Sequence, residues 1–178
     1  MKLTSRGKAI IAGAAIPCAS ALVPAVAMAT PAAPQAPQIR HCGLGGILDW
    51  LANAPQGAAG TIFYPVEFTN VSGRTCWLRG YPRVAGVTTR LRQIGPAAAH
   101  LGGRIRKVTL RPNQTAHASL GIVVAGIIAG CHARTGAGLA VNQPGSRSRQ
   151  FVMNFTFPAC TNRVYMRVSP VQPGIGVP

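Results

Sequence analysis

The clearest alternation of apolar and polar residues runs from Thr61 to Asn70 and predicts a β-strand. One face of this strand would carry Ile62, Tyr64, Val66 and Phe68, and the other Phe63, Pro65, Glu67 and Thr69. Because proline cannot donate a hydrogen bond to a neighbouring strand, Pro65 indicates an edge or bulged strand. The turn residues 70–73 and the short run Thr75–Leu78 then predict a hairpin.

Short strands separated by turn residues are also predicted along the rest of the chain. They are Val84–Thr88, Leu91–Ile94, Arg106–Leu110, Thr115–Val124, Gly138–Val141, Gln150–Phe155 and Arg163–Ser169. Upstream, the glycine-rich loop 43–46 precedes Ile47–Leu51, whose apolar spacing predicts a short helical turn. Eight or nine strands without a long helical period predict an all-β fold, an antiparallel immunoglobulin-like β-sandwich. A small barrel is the alternative.

The N-terminus has the three parts of a secretory signal peptide. Basic residues open the chain, residues 9–26 are apolar, and Ala27-Met28-Ala29 is a small-residue cleavage site. A membrane anchor is the alternative for this segment, but Pro17 and Pro24 interrupt it. We therefore expect a signal peptide at 1–29, a Pro/Ala-rich linker at 30–40 and one β-sandwich domain at 41–178, without a transmembrane segment in the mature form.

Four cysteines follow the predicted cleavage site, and an even number in an exported chain implies two disulfides. They are Cys42, Cys76, Cys131 and Cys160. Three connectivities are open for four cysteines. We predict the two pairs that are sequential in the chain, since the first would bracket the first hairpin and the second the hairpin around residues 143–145. No C-x-x-C spacing occurs, so we predict no metal site.

The chain is strongly basic, with 18 Lys and Arg against two acids in 178 residues. The only acids are Asp49 and Glu67, a scarcity that disfavours carboxylate chemistry and Mg²⁺ or Ca²⁺ sites. A glycosidase would need these two as its pair, but Glu67 is expected to form a surface salt bridge. His117 and Ser119 share one strand face and are interpreted as solvated polar positions; no nucleophile elbow, zinc-protease, phosphate-loop or EF-hand motif occurs. We expect no enzyme activity and no cofactor.

Residues 57–82 resemble the signature of a family of secreted actinobacterial domains of unknown function. The segment reads G-A-A-G, then an aromatic strand, then F-T-N-x-S-G-x-T-C-x-L-x-G-Y-P. The resemblance extends over residues 42–168 and includes Leu110-Arg111-Pro112, where Asn113-Gln114 replaces the family's glycine-rich turn. Asn tolerates the left-handed conformation, so this turn should be preserved. The resemblance implies an exported β-sandwich with cysteines, and no reaction.

Most of the basic residues fall at predicted strand ends and turns, which should leave much of the surface positive. The candidate anion-binding residues are Arg104, Arg106, Lys107, Arg147 and Arg149. The expected partners are anionic envelope polymers or lipid head groups, without specific nucleic-acid recognition. The predicted function is a secreted or cell-envelope-associated, non-catalytic binding module. A secreted inhibitor-like or structural protein and an extracellular hydrolase with an unrecognised site are the alternatives.

Overall fold

The computed structural model describes residues 38–43, 45–53, 55–146 and 151–176, with only the backbone of Phe151 and Val152. The predicted signal peptide and the linker up to residue 37 lie outside the described residues. The strands are β1 (Arg40–His41), β2 (Ile47–Leu51), β3 (Gln56–Ala58), β4 (Thr61–Asn70), β5 (Cys76–Arg79), β6 (Arg83–Val87), β7 (Gln93–Ile94), β8 (Ala99–His100), β9 (Lys107–Leu110), β10 (Thr115–Val123), β11 (Ala133–Asn142), β12 (Phe151–Cys160), β13 (Met166–Val168) and β14 (Gln172–Pro173). A single turn of 3₁₀-helix spans Ala125–Ile127. The fold is all-β, as the sequence predicts.

The strands form three sheets. The largest has the order β2-β4-β10-β13-β8, with β3 also paired to β4 and β14 to β10. The second has the order β12-β11-β6-β7, and the third, of three strands, has the order β1-β5-β9. One apolar core receives side chains from all three sheets, among them Phe68 of β4, Leu139 of β11 and Leu78 of β5.

The longest ladder joins β4 to β10 and forms the centre of the large sheet. Its register runs from Thr61 opposite Val123 to Thr69 opposite Thr115. The inward residues Ala116, Ala118, Leu120 and Ile122 of β10 are buried. Val124, which the alternation also places inside, is 38% exposed because the strand ends at Val123.

Pro65 lies inside the large sheet and not at its edge. On the side of β4 opposite β10, the pairing of β2 ends at Val66 and that of β3 begins at Phe63. The carbonyl of Pro65 accepts a hydrogen bond from the Ala52 N–H at 2.9 Å, so the proline nitrogen faces the interval between these two strands. The prediction of an edge or bulged strand is wrong, because β4 pairs with β10 without a register shift and the interrupted partner on its other side accommodates the missing N–H.

The helical turn predicted after the glycine-rich loop is also wrong, since Ile47–Leu51 forms strand β2. Ile47 and Asp49 are buried whereas Leu48 and Trp50 are exposed, which is the two-residue period of a strand. The segment pairs antiparallel with β4 from Ile47 opposite Asn70 to Leu51 opposite Val66. Five residues are too few for helical periodicity to outweigh this pairing.

The predicted hairpin between β4 and β5 does not form, because the two strands belong to different sheets. Asn70 at the end of β4 is fully buried and its Nδ2 donates to the carbonyls of Arg74 and Leu110, both at 2.9 Å. Leu110 belongs to β9 of the three-stranded sheet, so this side chain ties the end of β4 to that sheet. The hairpin predicted around residues 143–145 does form, between β11 and β12.

Both predicted disulfides are present: Cys42 is bonded to Cys76, and Cys131 to Cys160. The second bridge closes the β11–β12 hairpin, for the reason given from the sequence. The first has a different role, since it joins the segment after β1 to the start of β5 within the three-stranded sheet.

Candidate anion-binding surface

All 13 Lys and Arg side chains of the described residues are exposed, whereas both acids of the chain are buried. Asp49 is 7% exposed and Glu67 is 0% exposed. The donors that hydrogen-bond these two carboxylates within the described ranges are Gln143 and the backbone of Gly176, neither of which carries a charge. The positive surface is therefore not neutralised by ion pairs to the chain's own acids.

The outer face of the three-stranded sheet concentrates basic and aromatic groups. Trp77 and Arg79 alternate with the buried Cys76 and Leu78 along β5 and therefore point outward. Across the sheet, Arg79 lies directly opposite Lys107 of β9. We call Trp77, Arg79 and Lys107 the basic face. Lys107 places its Nζ 4.9 Å from the centre of the Trp77 ring, a cation–π contact.

Two like charges directly opposite each other on neighbouring strands destabilise a sheet. Arg79 and Lys107 are in this arrangement, and no acid lies beside them, because both acids are buried in the large sheet. An anionic ligand would remove this repulsion and form charge-assisted hydrogen bonds with both cations. The basic face thus has the electrostatic properties of an anion-binding site.

The structure describes three of the five anion-binding candidates from the sequence. Arg104 and Arg106 are exposed in the irregular segment before β9, and Lys107 begins that strand. Arg147 and Arg149 lie outside the described residues. Sequence reasoning missed that Arg79 joins Lys107, because their pairing depends on which strand follows β5 in the sheet.

Asp49 is buried beside Gln143, whose Nε2 donates to Oδ1 at 3.0 Å and to Oδ2 at 3.3 Å. Burial raises the pKa of Asp49 to about 7, and the hydrogen bond from Gln143 opposes that rise. Gln143 is itself 1% exposed, and its Oε1 has no hydrogen-bond partner among the described residues. The hydrogen-bond partner of Asp49 is thus a neutral amide, which leaves an ionised Asp49 without a compensating charge.

Glu67 is fully buried, and the prediction of a surface salt bridge for it is wrong. Its Oε1 accepts a hydrogen bond from the Gly176 N–H at 2.8 Å, because the C-terminal segment covers this part of the large sheet. Burial raises the pKa of Glu67, while the Gly176 hydrogen bond and the nearby His117 lower it.

The two acids cannot act as a carboxylate pair. In the β2–β4 register, Asp49 lies opposite Phe68, and Trp50 lies opposite Glu67. Directly opposed residues share a sheet face and successive residues alternate, so the two carboxylates project from opposite faces of the sheet. This arrangement provides no geometry for a two-carboxylate hydrolysis.

Among the other polar candidates, the His117 side chain and the Ser119 backbone make structural contacts. His117 Nδ1 donates to the Gly174 carbonyl at 2.9 Å, and the Ser119 N–H donates to Ser169 Oγ at 2.9 Å. Both residues are half-buried, whereas their sequence pattern was interpreted as that of solvated polar positions.

The described residues contain no group of three or more His, Cys, Asp or Glu that could hold a metal ion. The described chain also includes no helix with the length and apolar character needed to cross a membrane.

Residues 46–172 match the family model described as "Domain of unknown function (DUF4232)". The match covers more than half of the 178 residues, and the chain belongs to this family. It includes both strands of the basic face, β5 and β9. Neither the curated proteins nor the solved structures contain a significant match to the chain.

Proposed function

We propose that this member of the DUF4232 family is a secreted or cell-envelope-associated, non-catalytic module that binds anionic polymers or anionic lipid head groups through its basic face. One observation carries the proposal: Arg79 and Lys107 lie directly opposite each other without a neighbouring acid. The two disulfides are compatible with an oxidising extracellular environment.

An immunoglobulin-like sandwich is the arrangement that we propose for the domain. The large, mostly antiparallel sheet and the two smaller sheets share one core, which supports two packed layers. In such a module the outer face of a sheet is available for a partner. The basic face lies on the outer face of the three-stranded sheet.

A salt-dependent titration of the purified, disulfide-intact chain with a fluorescent DNA duplex tests the proposal, with DNA as a generic polyanion. The slope of log K against log salt is about −0.9 for each phosphate that the protein neutralises. Arg79→Gln with Lys107→Gln should therefore make this slope less steep by about 2 and weaken binding. Arg104→Glu with Arg106→Glu should also weaken it, since these residues precede β9.

The matched control is Arg90→Gln with Arg92→Gln, which removes the same charge from the exposed turn between β6 and β7. Under the proposal this variant retains most of the wild-type affinity. Equal losses of DNA affinity in the Arg79→Gln, Lys107→Gln variant and in the Arg90→Gln, Arg92→Gln variant would show that only the total charge matters. Elution of the wild type from heparin below about 150 mM salt, where the Debye length is about 8 Å, would contradict polyanion binding.

A further inference from the structure

A cleft lies beside the three-stranded sheet, between the segment leading into β1 and the turn that follows β4. Its volume is about 860 Å³. The side chains that give it chemical character are Gln38, Ile39, Arg40, Ser72, Arg74 and Thr75. The basic-face residues Arg79 and Lys107 are not among its described lining residues. The size is within the range of pockets that bind small molecules.

The wall formed by residues 38–41 is tied to the rest of the domain at several points. The Cys42–Cys76 disulfide joins it to β5, and the Cys42 N–H donates to the Trp77 carbonyl at 3.0 Å. Trp77 Nε1 donates to the Ile39 carbonyl at 3.2 Å. His41 Nε2 contacts the Pro144 carbonyl at 2.9 Å, which adds a tie to the β11–β12 turn. The disulfide therefore has a second consequence besides stability, since it helps to fix one side of the cleft.

The opposite wall is a turn whose polar groups are paired within the protein. Asn70 Nδ2 donates to the Arg74 carbonyl at 2.9 Å, and Ser72 Oγ donates to Asn70 Oδ1 at 2.6 Å. These bonds fix the backbone that carries Arg74 into the cleft. A preformed wall lowers the entropic cost of binding a ligand.

Arg40 and Arg74 are both exposed in this cleft, and its described lining includes no acid. A guanidinium group binds carboxylate and phosphate in the same two-pronged geometry. Gln38 and Thr75 add neutral hydrogen-bonding groups, which suit sugar hydroxyls. The described lining has no Phe, Tyr or Trp side chain, and the His41 ring, which also lines the cleft, contacts the carbonyls of Cys42 and Pro144 and the ring of Trp77.

We propose that this cleft binds a short anionic saccharide, one that carries carboxylate or phosphate groups on a hydroxylated sugar. The inference extends the proposed function, because it assigns a specific ligand class to a second site with its own residues. Long polyanions would contact the basic face through charge, whereas the cleft would select the end or a short section of an acidic glycan.

Calorimetric titration of the disulfide-intact chain tests the assignment with three probes of similar size: tetragalacturonate, maltotetraose carrying a 6-phosphate, and neutral maltotetraose. We expect one-to-one binding of at least one anionic probe. The neutral probe should bind at least about tenfold more weakly, because it lacks the charge-assisted hydrogen bonds. The first two probes distinguish a carboxylate ligand from a phosphate ligand.

Arg40→Gln and Arg74→Gln should each lower the affinity for the anionic probe about ten- to a hundredfold, the range expected on losing hydrogen bonds to charged groups. The matched control is Arg79→Gln with Lys107→Gln, which should leave the affinity for the probe within about threefold but reduce DNA binding. A Cys42→Ser, Cys76→Ser variant should bind the probe more weakly while circular dichroism still shows a folded β protein. A folded Arg40→Gln, Arg74→Gln variant with wild-type affinity would overturn the assignment even if the cysteine variant does not fold.

The two proposals fail in different ways. If DNA binding depends on the basic face but neither anionic tetrasaccharide binds, the cleft assignment is wrong and the proposed function stands. If a tetrasaccharide binds through Arg40 and Arg74 but DNA binding is insensitive to Arg79 and Lys107, the cleft assignment stands and the proposed basic-face function is wrong.

Discussion

Glu67 lies directly opposite His117 across strands β4 and β10, and together the two side chains hold the C-terminal segment. Glu67 Oε1 accepts from the Gly176 N–H at 2.8 Å, and His117 Nδ1 donates to the Gly174 carbonyl at 2.9 Å. The segment covers Glu67 so completely that one of the two acids of a strongly basic chain has no access to solvent. Residues 174–176 are thus part of the folded domain, because they cover the opposed polar side chains Glu67 and His117 of the large sheet.

This arrangement predicts the exchange behaviour of the Gly176 amide. Glu67→Gln keeps an oxygen that can accept from Gly176, whereas Glu67→Leu removes it while preserving much of the side-chain volume. In the leucine variant the Gly176 amide should exchange with solvent about ten- to a hundredfold faster, as expected on losing a hydrogen bond to a charged group. Hydrogen-exchange NMR measures the rate, and equal protection in the two variants would show that the bond does not hold the segment.

Asp49 should make the stability of the fold decrease as the pH rises. Its pKa in the folded state is about 7, above the ordinary value of 3.8, so between these values the folded protein binds more protons than the unfolded chain. The free energy of unfolding contributed by Asp49 is therefore fully present below about pH 4 and is lost as the pH rises through 7. The slope cannot exceed about 1.4 kcal/mol per pH unit for one group.

Asp49→Asn tests this prediction by urea unfolding between about pH 5 and pH 8, the range in which such a group titrates. Asparagine remains neutral and can exchange hydrogen bonds with Gln143. The contribution of residue 49 to the slope of the unfolding free energy against pH should therefore disappear. The variant should be at least as stable as the wild type at pH 8. An unchanged pH profile would show that Asp49 does not titrate in this range.

Removal of one charge from the basic face should stabilise the protein at low salt. Arg79 and Lys107 repel each other across β5 and β9, so Arg79→Gln should raise the free energy of unfolding by about 0.2–1 kcal/mol. The gain should shrink at high salt because exposed charges are screened. Thermal unfolding at two salt concentrations measures it, with Arg90→Gln in the β6–β7 turn as the control. A loss of stability at low salt would contradict the proposed repulsion.

Each disulfide should contribute to stability through the loop that it closes. The bridged cysteines are 34 residues apart in the first pair and 29 in the second, and the chain-entropy model gives about 3.5–4 kcal/mol for loops of this length. Replacing either pair with serine should lower the free energy of unfolding by a similar amount. Peptide mapping without reduction checks the pairing, and a peptide linking Cys42 to Cys131 or Cys160 would contradict it.

The sequence by itself determined features that depend on neighbours along the chain. The alternation of side chains gives β4 its observed bounds, Thr61–Asn70. The segment around Pro144 and Gly145 connects β11 to β12 as predicted, although both strands are longer than the pattern shows. Asn113 adopts a φ of 64°, the left-handed conformation that asparagine tolerates in the predicted turn. These features are readable because the alternation of residue types and turn geometry are local properties, even though consecutive residues of β4 are buried.

The shortest strands were harder to predict from the sequence. Three strands that the pattern does not predict, β1, β8 and β14, have only two residues, which is too short for an alternation to be recognised. The equally short β7 lies within the predicted strand Leu91–Ile94 and pairs with β6 as predicted. The three unpredicted strands exist because a longer strand offers them a partner, as β13 does for β8. For the same reason Ile47–Leu51 is a strand although its own spacing predicts a helical turn.

Only the tertiary structure decided the positions of the chemically important side chains. Glu67 is polar and lies mid-strand, and its burial depends on a segment more than 100 residues later in the chain. Arg79 and Lys107 meet because β5 pairs with β9 and not with β4. Arg40 and Arg74 line one cleft because a disulfide and a parallel pairing bring β1 beside β5. The sequence determines the charge of the surface, but strand order determines which charges act together, because it is set by contacts between residues that are distant in the chain.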